Sequence, residues 1–295
     1  MSLSDNLKFI SGEIDKLLAE QLAIKETLEA NLIEAMRYSS IGSGKKVRPY
    51  LVYASSNIFD VPLKHALMVG ASVEMVHTFS LIHDDLPCMD NDEIRRGKPS
   101  LHIQFNESTA MLAGNALLIK AFKMLTSKKV HNDLDVRVRL ISELAEVSGY
   151  EGMCGGQMID LLSQSKNFDK DQILRLNKMK TAAIISFSCV AGGILGGASI
   201  HECEVLRDFG FDIGLAFQIV DDILDVEGDE SKIGKRINRD KDLRKKNLVS
   251  NYGLKFSKNE AQKLIENANK NLNENFGKKS EKLQEVAKFI ILRDR

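Results

Sequence analysis

The chain carries no net charge at neutral pH, because 41 basic side chains balance 41 acidic ones over 295 residues. A protein that binds nucleic acid or a membrane surface through its general charge carries a basic field or a polybasic tail. The sequence has neither feature. We therefore expect no nucleic-acid partner.

Long hydrophobic runs and paired cysteines are also missing. Residues 180–198 come nearest to a membrane span, but this stretch is too short and too rich in glycine and serine. The N-terminus shows no basic segment followed by an apolar run, which a secretory signal requires. Four cysteines without CxxC or metal-type spacing are typical of reduced thiols. We expect a soluble, cytoplasmic protein without a membrane span.

Proline is scarce, and its four occurrences (Pro49, Pro62, Pro87 and Pro99) all lie in the first third of the chain. Proline ends or opens helices, so its absence afterwards permits long ones. Apolar residues recur at helical spacing rather than in strand-like alternation. The later stripes fall at residues 110–125, 134–148, 170–197, 203–226 and 258–292. With no repeat or linker, the pattern predicts an all-α protein: one domain over residues 1–295, a bundle of about ten or more helices.

A charged stretch follows the most apolar helix of the first third. Acidic residues crowd positions 84–93, and Arg95, Arg96 and Lys98 come directly after them. Pro87 should end the helix near Asp84 and Asp85, because it disfavours helical backbone at the residue before it. Asp90 should then return on a turn. Such a stretch is either a solvated loop or a site for cations and a polyanion.

A second acidic cluster lies about 130 residues later, at Asp221, Asp222 and Asp225. Asp221 and Asp225 share one helix face, with Asp222 and Gln218 on or beside it. The segment is otherwise apolar, so repulsion between these carboxylates predicts bound cations, although an exposed helix edge is the alternative. All-oxygen ligands suit Mg²⁺ or Mn²⁺, which bind carboxylates together with substrate phosphates.

Basic residues point to a second anion site that would not use metals. A glycine-containing turn before a predicted helix start carries Gly44, Lys45 and Arg48. Basic side chains beside a helix N-terminus favour anion binding. Arg96 adds to them, and His77, seven residues before Asp84, lies on roughly the same helix face. A metal-bridged site and a cationic site together indicate two phosphorylated substrates.

Several further motifs complete a series that runs almost the length of the chain. In order they are Gly44-Lys45-Lys46-Val47-Arg48-Pro49, Asp84-Asp85-x4-Asp90, Arg95-Arg96-Gly97-Lys98-Pro99, Gly152-Met153-x-x-Gly156-Gln157-x-x-Asp160, Lys180-Thr181, Phe217-Gln218-x-x-Asp221-Asp222-x-x-Asp225, Gly234-Lys235 and residues 289–295. This series resembles the short-chain trans-isoprenyl diphosphate synthases. Two aspartate motifs with an arginine pair and a GKxxRP element make the resemblance specific.

The resemblance implies an all-helical homodimer with a deep central cavity, in which isopentenyl diphosphate condenses with an allylic diphosphate. It implies about three Mg²⁺ ions per site, with Mn²⁺ as a substitute. The implied metal residues are Asp84, Asp85, Asp90, Asp221, Asp222 and Asp225, of which Asp85, Asp222 and Asp225 are supporting. The residues implied to act on the allylic diphosphate are Arg95, Lys180, Thr181, Gln218 and Lys235. Isopentenyl diphosphate would be held by Gly44, Lys45, Arg48, His77 and Arg96.

The resemblance also bears on product length, through two features. They are Phe79, five residues before Asp84, and the widened first motif at residues 86–89. Both features resemble the bacterial type of the family whose product is the C15 farnesyl diphosphate; geranylgeranyl or another chain length is the alternative. Phe79 would form the floor of the product pocket, or it is an ordinary core residue. The family's GKTxGKD segment is altered at residues 234–240, where Arg239 stands in place of a lysine.

Three rival functions remain. A terpene cyclase would share the acidic clusters, but it would not need Lys45, Arg48 and Arg96. A metal-dependent phosphohydrolase could use His83 with Asp84, but the remaining histidines lack the spacing of further ligands. A non-catalytic subunit would not need the complete set of motif aspartates.

Overall fold

The structure is a computed structural model that describes residues 2–42, 44–227 and 247–292. Helices account for nearly all regular structure in these ranges, and the predicted all-α class is confirmed. Lys235, Arg239 and the last three residues lie outside the described ranges. Backbone contacts divide the chain into a first unit, residues 1–53 and 62–141, and a second unit, residues 54–61 and 142–295. The prediction of a single domain with a central cavity stays a prediction.

Over its described residues, the first part of the chain is built from seven helices and one short hairpin. The helices are α1 (Leu3–Gln21), α2 (Ala30–Ser40), α3 (Val47–Ile58), α4 (Leu63–Asp84), α5 (Leu101–Gln104), α6 (Glu107–Leu125) and α7 (Leu134–Ser148), with strands β1 (Ile94–Arg95) and β2 (Lys98–Pro99). Helix α4 is the core of the first unit, because α1, α2 and α6 all pack against it. Pro62 stands just before α4 at its N-cap rather than inside the first turn.

The two strands form the small exception to the all-α prediction. Ile94 pairs with Pro99 and Arg95 with Lys98, so the connecting turn has only two residues. Those residues, Arg96 and Gly97, have φ of +54° and +74°. Positive φ at both positions is the geometry of a type I′ turn, the favoured two-residue hairpin connection. The hairpin thereby presents Arg95 and Arg96 at a fixed, tight bend.

The second unit is built on a long buried helix. Its elements are α8 (Met153–Ser163), α9 (Lys170–Asn177), a π-helical turn (Lys178–Ala182), α10 (Ala183–Leu195), α11 (Ile200–Glu227), α12 (Leu248–Tyr252), α13 (Leu254–Phe276), a 3₁₀ turn (Gly277–Ser280) and α14 (Glu281–Leu292). Helix α11 packs against α10, α13 and α14. The stripes predicted at 170–197 and 258–292 are therefore each divided, by the π turn and by the 3₁₀ turn.

Two segments among the described residues are long and apolar enough to cross a membrane, Leu63–Asp84 and Lys170–Leu195. In both, most of the apolar window is buried inside the protein, 72% in the first and 83% in the second. A membrane-facing helix would expose this surface. Burial of this extent is what core helices show.

Candidate active site

The first acidic motif folds back on the end of α4. The helix ends at Asp84, and Asp85 caps it. The Asp90 amide donates to the Asp84 carbonyl at 2.9 Å, and the Asp92 amide donates to the Asp85 carbonyl at 3.1 Å. The predicted helix end and the return of Asp90 on a turn are both confirmed at the backbone level.

An arginine of the hairpin holds the carboxylate of Asp85. Arg95 Nε donates to both Asp85 oxygens, at 2.9 and 3.2 Å, and its Nη2 also donates to Asp85 and to Asp92. Burial by itself lowers the pKa of Arg95, but the Asp85 hydrogen bond and the charges of Asp85, Asp92 and Asp84 raise the pKa above its ordinary value. Asp85 thus fixes the hairpin arginine at the end of α4.

His77 lies between two arginine side chains. Its Nε2 is 3.2 Å from Arg48 Nη1 and 3.4 Å from Arg96 Nη2. Burial, followed by the charges of Arg48 and Arg96, holds the pKa of His77 well below its ordinary value of 6.5. The imidazole is therefore neutral, and because guanidinium groups only donate, Nε2 accepts and the proton is on Nδ1. This cationic cluster of Arg48, His77 and Arg96 concentrates positive charge around an uncharged ring.

The glycine turn before α3 contacts the same cluster. Gly44 has φ +75°, which disfavours any side chain, and a Cβ there would lie 2.6 Å from Arg96 Cζ and would displace the guanidinium. Lys45 is exposed in this turn. Of the five residues predicted to hold isopentenyl diphosphate, four make these close approaches, and Lys45 follows Gly44 directly.

Lys46 and Glu74 are an ion pair that sequence reasoning missed. Lys46 reads as one more base of the turn, yet it is buried, with Nζ 3.2 Å from Glu74 Oε1. Glu74 lies three residues before His77 on α4 and is also buried. A charged residue in the middle of an otherwise apolar helix was the available signal, because such a residue is buried only when paired.

In the second unit, the predicted acids lie along the last turns of α11. Asp222 and Asp225 are buried at 4% and 5% exposure, and Asp221 is half-buried. Thr181 Oγ1 donates to Gln218 Oε1, and Gln218 Nε2 donates to Asp222 Oδ1, each at 2.9 Å. This chain fixes the orientation of the Gln218 amide beside the carboxylates.

Lys180 is placed by the π-helical turn that also carries Thr181. Its Nζ donates to Asp160 Oδ2 on α8 at 2.6 Å. A Cβ on Gly156 would lie 2.2 Å from the Lys180 amide nitrogen, so α8 contacts the π turn through bare backbone. Single π turns inside helices occur frequently at functional sites. The predicted Lys-Thr pair stands in one.

Phe79 and His83 pack against each other on α4, with ring centroids 4.8 Å apart in an edge-to-face arrangement. His83 Nε2 lies 3.1 Å from the Met111 carbonyl of α6. A Cβ on Gly114 of α6 would lie 2.3 Å from His83 Nε2. Phe79 is buried at 8% exposure. His83 is therefore a packing residue against α6, which disfavours the phosphohydrolase with a His83–Asp84 pair.

The residues present fit a divalent metal bound together with substrate phosphates. No cluster of three or more His, Cys, Asp or Glu side chains that could hold a metal ion is found within residues 2–42, 44–227 and 247–292. However, Mg²⁺ is usually held by one or two carboxylates plus substrate phosphates and water. In the first unit, the half-buried Asp84 and Asp90 offer the carboxylate oxygens that such an ion prefers. In the second unit, Asp221, Asp222 and Asp225 of α11 offer the same kind of ligand.

Comparison with known proteins shows which family the chain is similar to. The farnesyl diphosphate synthase of Bacillus subtilis (strain 168) is 39% identical over 294 residues, which cover 99% of this chain and 97% of that protein. The crystal structure of an FPP/GFPP synthase from Zymomonas mobilis is 40% identical, with a TM-score of 0.89 and 98% of each chain covered. A geranyltransferase from Helicobacter pylori, complexed with magnesium and isoprenyl diphosphate, is 31% identical, with a TM-score of 0.86 and 98% of each chain covered.

The family profile described as polyprenyl synthetase matches residues 29–290, which include every motif of the candidate site. Both aspartate motifs, the GKxxRP turn and the arginine pair thus occur within one matched region. The chain belongs to the polyprenyl synthetase family.

Proposed function

We propose that this prenyltransferase condenses isopentenyl diphosphate with dimethylallyl or geranyl diphosphate and that its main product is farnesyl diphosphate. Relatives named farnesyl diphosphate synthase cover nearly the whole chain at 39% identity, which favours the C15 product over other chain lengths. Geranylgeranyl diphosphate is the second candidate, because synthases of that name are also relatives, at 38% identity.

The observation that carries the proposal is the cationic cluster of Arg48, His77 and Arg96. A neutral imidazole between two guanidiniums offers donors to a diphosphate without any metal. With Gly44 and Lys45 beside it, the cluster is suited to isopentenyl diphosphate. A terpene cyclase, which ionises a single metal-bound diphosphate, has no use for such a cluster.

The allylic diphosphate is assigned to other residues. The family motifs make Asp84, Asp90 and Asp221 the proposed metal ligands, with Asp85, Asp222 and Asp225 in support. When bound, Mg²⁺ neutralises charge on the leaving diphosphate. Asp85 aligns Arg95 through its paired hydrogen bonds, and Asp160 aligns Lys180, so both cations are oriented before substrate arrives. Lys235 is assigned to the same diphosphate.

The chemistry is an ionisation followed by an addition. The allylic C–O bond breaks with its electron pair on the diphosphate, and the isopentenyl double bond attacks the resulting allylic cation. A new C–C bond forms, and the adduct loses a proton to the released diphosphate. Gln218, held by Thr181 and Asp222, directs an amide oxygen dipole that can stabilise positive carbon.

The assembly and location are proposed on different grounds. Helix α6 exposes an apolar stripe of Met111, Leu112 and Ile119, with exposures of 41%, 56% and 68%. A second copy of the chain covering this stripe would give a homodimer. Cytoplasmic location is proposed because reduced cysteines fit a reducing compartment.

One assay tests the function. Purified protein is incubated with Mg²⁺, geranyl diphosphate and labelled isopentenyl diphosphate, and products are separated by chain length. We expect a C15 diphosphate whose formation stops when EDTA removes the metal and resumes with Mg²⁺ or Mn²⁺. No consumption of isopentenyl diphosphate would refute the synthase, and cyclic hydrocarbon from geranyl diphosphate alone would support a cyclase.

A further inference from the structure

Glu74 is a buried carboxylate to which the mechanism above gives no role. Its side chain lies on α4 one turn before His77, and the residue is 1% exposed. Its Oε1 is 3.2 Å from Lys46 Nζ and 3.9 Å from Arg96 Nη1. Burying a carboxylate is unfavourable unless cations compensate it, and Lys46 and Arg96 supply that compensation.

Lys46 connects this carboxylate to the turn before α3. The residue is 2% exposed and has φ +50°, a conformation that lysine rarely adopts. Its Nζ also donates to the Ser40 carbonyl at 2.5 Å and lies 3.6 Å from Asp15 Oδ1. These contacts hold the backbone of the turn that presents Gly44 and Lys45.

Arg96 connects the same carboxylate to the hairpin. Two guanidiniums, those of Arg48 and Arg96, approach one nitrogen of His77, and their like charges repel each other. Since His77 is neutral, it does not offset this repulsion. Glu74 is a buried negative charge 3.9 Å from Arg96, and it lowers the electrostatic cost of holding Arg96 in place.

We propose that Glu74 is a positioning residue for the metal-free diphosphate site. It orients Arg96 directly. Through Lys46, it also holds the turn before α3 that presents Gly44 and Lys45. This inference rests on the proposed function for the identity of the substrate, isopentenyl diphosphate. Glu74 does not touch substrate; it acts through the two cations that would.

The direct test is the substitution Glu74→Gln, which keeps the shape of the side chain and removes its charge. We expect the KM for isopentenyl diphosphate to rise by about tenfold or more, because Arg96 loses the buried negative charge 3.9 Å from it and Lys46 loses its ion pair. The KM for geranyl diphosphate should stay within about twofold, since Glu74 contacts Lys46 and Arg96, and neither is a proposed ligand of that substrate. A residue that merely stabilised the fold would raise neither KM selectively.

Two further variants separate positioning from folding. Glu74→Gln leaves Lys46 buried without its carboxylate, so the double variant Lys46→Met/Glu74→Gln removes that charge as well. The double variant should regain thermal stability but keep the raised KM for isopentenyl diphosphate. Glu143→Gln, which breaks the part-buried pair with Arg207 in the second unit, is the matched control and should change neither KM.

A binding measurement without catalysis completes the test. Calorimetric titration of inorganic diphosphate into metal-free protein should give a Kd about tenfold weaker for Glu74→Gln than for wild type. If wild type condenses both substrates and the double variant keeps the wild-type KM, the positioning role is wrong and the proposed function stands. If wild type makes no product but Glu74→Gln still weakens diphosphate binding, the proposed function is wrong and the positioning role stands.

Discussion

Asp212 is a half-buried carboxylate on α11, one turn after Asp208. Burial, followed by the charge of Asp208, raises the pKa of Asp212 from 3.8 to about 6. The folded protein therefore keeps a proton on Asp212 at pH values where the unfolded chain has lost it. By linkage, the contribution of Asp212 to the free energy of unfolding falls as pH rises from about 4 to 6. Above that range, the destabilisation caused by Asp212 stays constant.

Asp212→Asn should accordingly stabilise the protein at neutral pH. We expect a gain of about 1 kcal/mol at pH 8, after discounting the shift for the solvent exposure of this half-buried group. This corresponds to a rise in Tm of about 2–4 °C for a chain of this size. Thermal unfolding at pH 4 and pH 8 measures it. An equal gain at both pH values would mean that the charge of Asp212 is not the cause.

Phe79 is the residue on which we predict product length to depend. Phe79→Ala should shift the main product from C15 to C20 or longer, because removing the ring opens space on α4 between one and two turns before Asp84. The buried ring also contributes to the core, so a loss of about 3 kcal/mol in stability is expected. Product chromatography with geranyl diphosphate as primer is the measurement.

The matched control for Phe79 is Phe105→Ala, which removes the same atoms from a ring that contacts Tyr38 edge-on. It should keep a C15 product. An unchanged C15 product from Phe79→Ala would assign Phe79 to the core alone.

At this scale the sequence could identify residue types but not their partners. Lys45 and Lys46 are adjacent identical residues, and only the backbone conformation at Lys46 decides that one is exposed and the other buried. The pairing of Glu74 with Lys46 could not be predicted from the sequence, because the contact joins positions 28 residues apart. Phe79 and Asp84, by contrast, were related by helix geometry alone.

Among elements, helices were predictable from apolar periodicity, and one helix end was predictable from proline. The end of α4 at Asp84 follows from Pro87, and α6 and α7 match the predicted stripes. The π turn at Lys178–Ala182 was not predictable, because its apolar pattern continues into α10. Its surroundings explain it instead: Gly156 on one side and Gly214 on the other leave room for its backbone, with the Gly214 Cβ position 2.6 Å from Ala182 Cα.

Gly156→Ala should therefore impair the element that carries Lys180 and Thr181. The added methyl would lie 2.2 Å from the Lys180 amide nitrogen, which is backbone and cannot move alone. We expect a loss of about 2 kcal/mol in stability and a fall in kcat of at least about tenfold. Steady-state kinetics and thermal unfolding measure the two effects.

Gly12→Ala is the control for this substitution, because nothing lies within 4 Å of the Cβ position at Gly12 in α1. It should raise stability by up to about 1 kcal/mol and leave kcat unchanged, since alanine favours helix. If Gly156→Ala kept wild-type kcat, the close contact with the π turn would have no catalytic role.

At the scale of the whole molecule, the apolar stripe of α6 is exposed in the single chain. Leu112 and Ile119 are seven residues apart, so they lie on the same exposed face of α6. A different face of α6 packs against α4. Exposed aliphatic residues in such a row are typical of an interface between protein chains. The sequence predicted a homodimer only by resemblance, because a stripe read from sequence does not say which of its residues the fold covers.

We predict that Leu112→Asp/Ile119→Glu converts the protein to a monomer. Both side chains are more than half exposed, so the folded chain should lose no more than about 0.5 kcal/mol for each substitution, whereas two charges buried in an interface would prevent association. Sedimentation velocity should show wild type at twice the mass of the variant. Leu28→Asp, at a fully exposed position between α1 and α2, is the control and should leave the mass unchanged. A variant that still sediments as a dimer would locate the interface on another face, because a chain pair joined through α6 could not accept four buried carboxylates without cations.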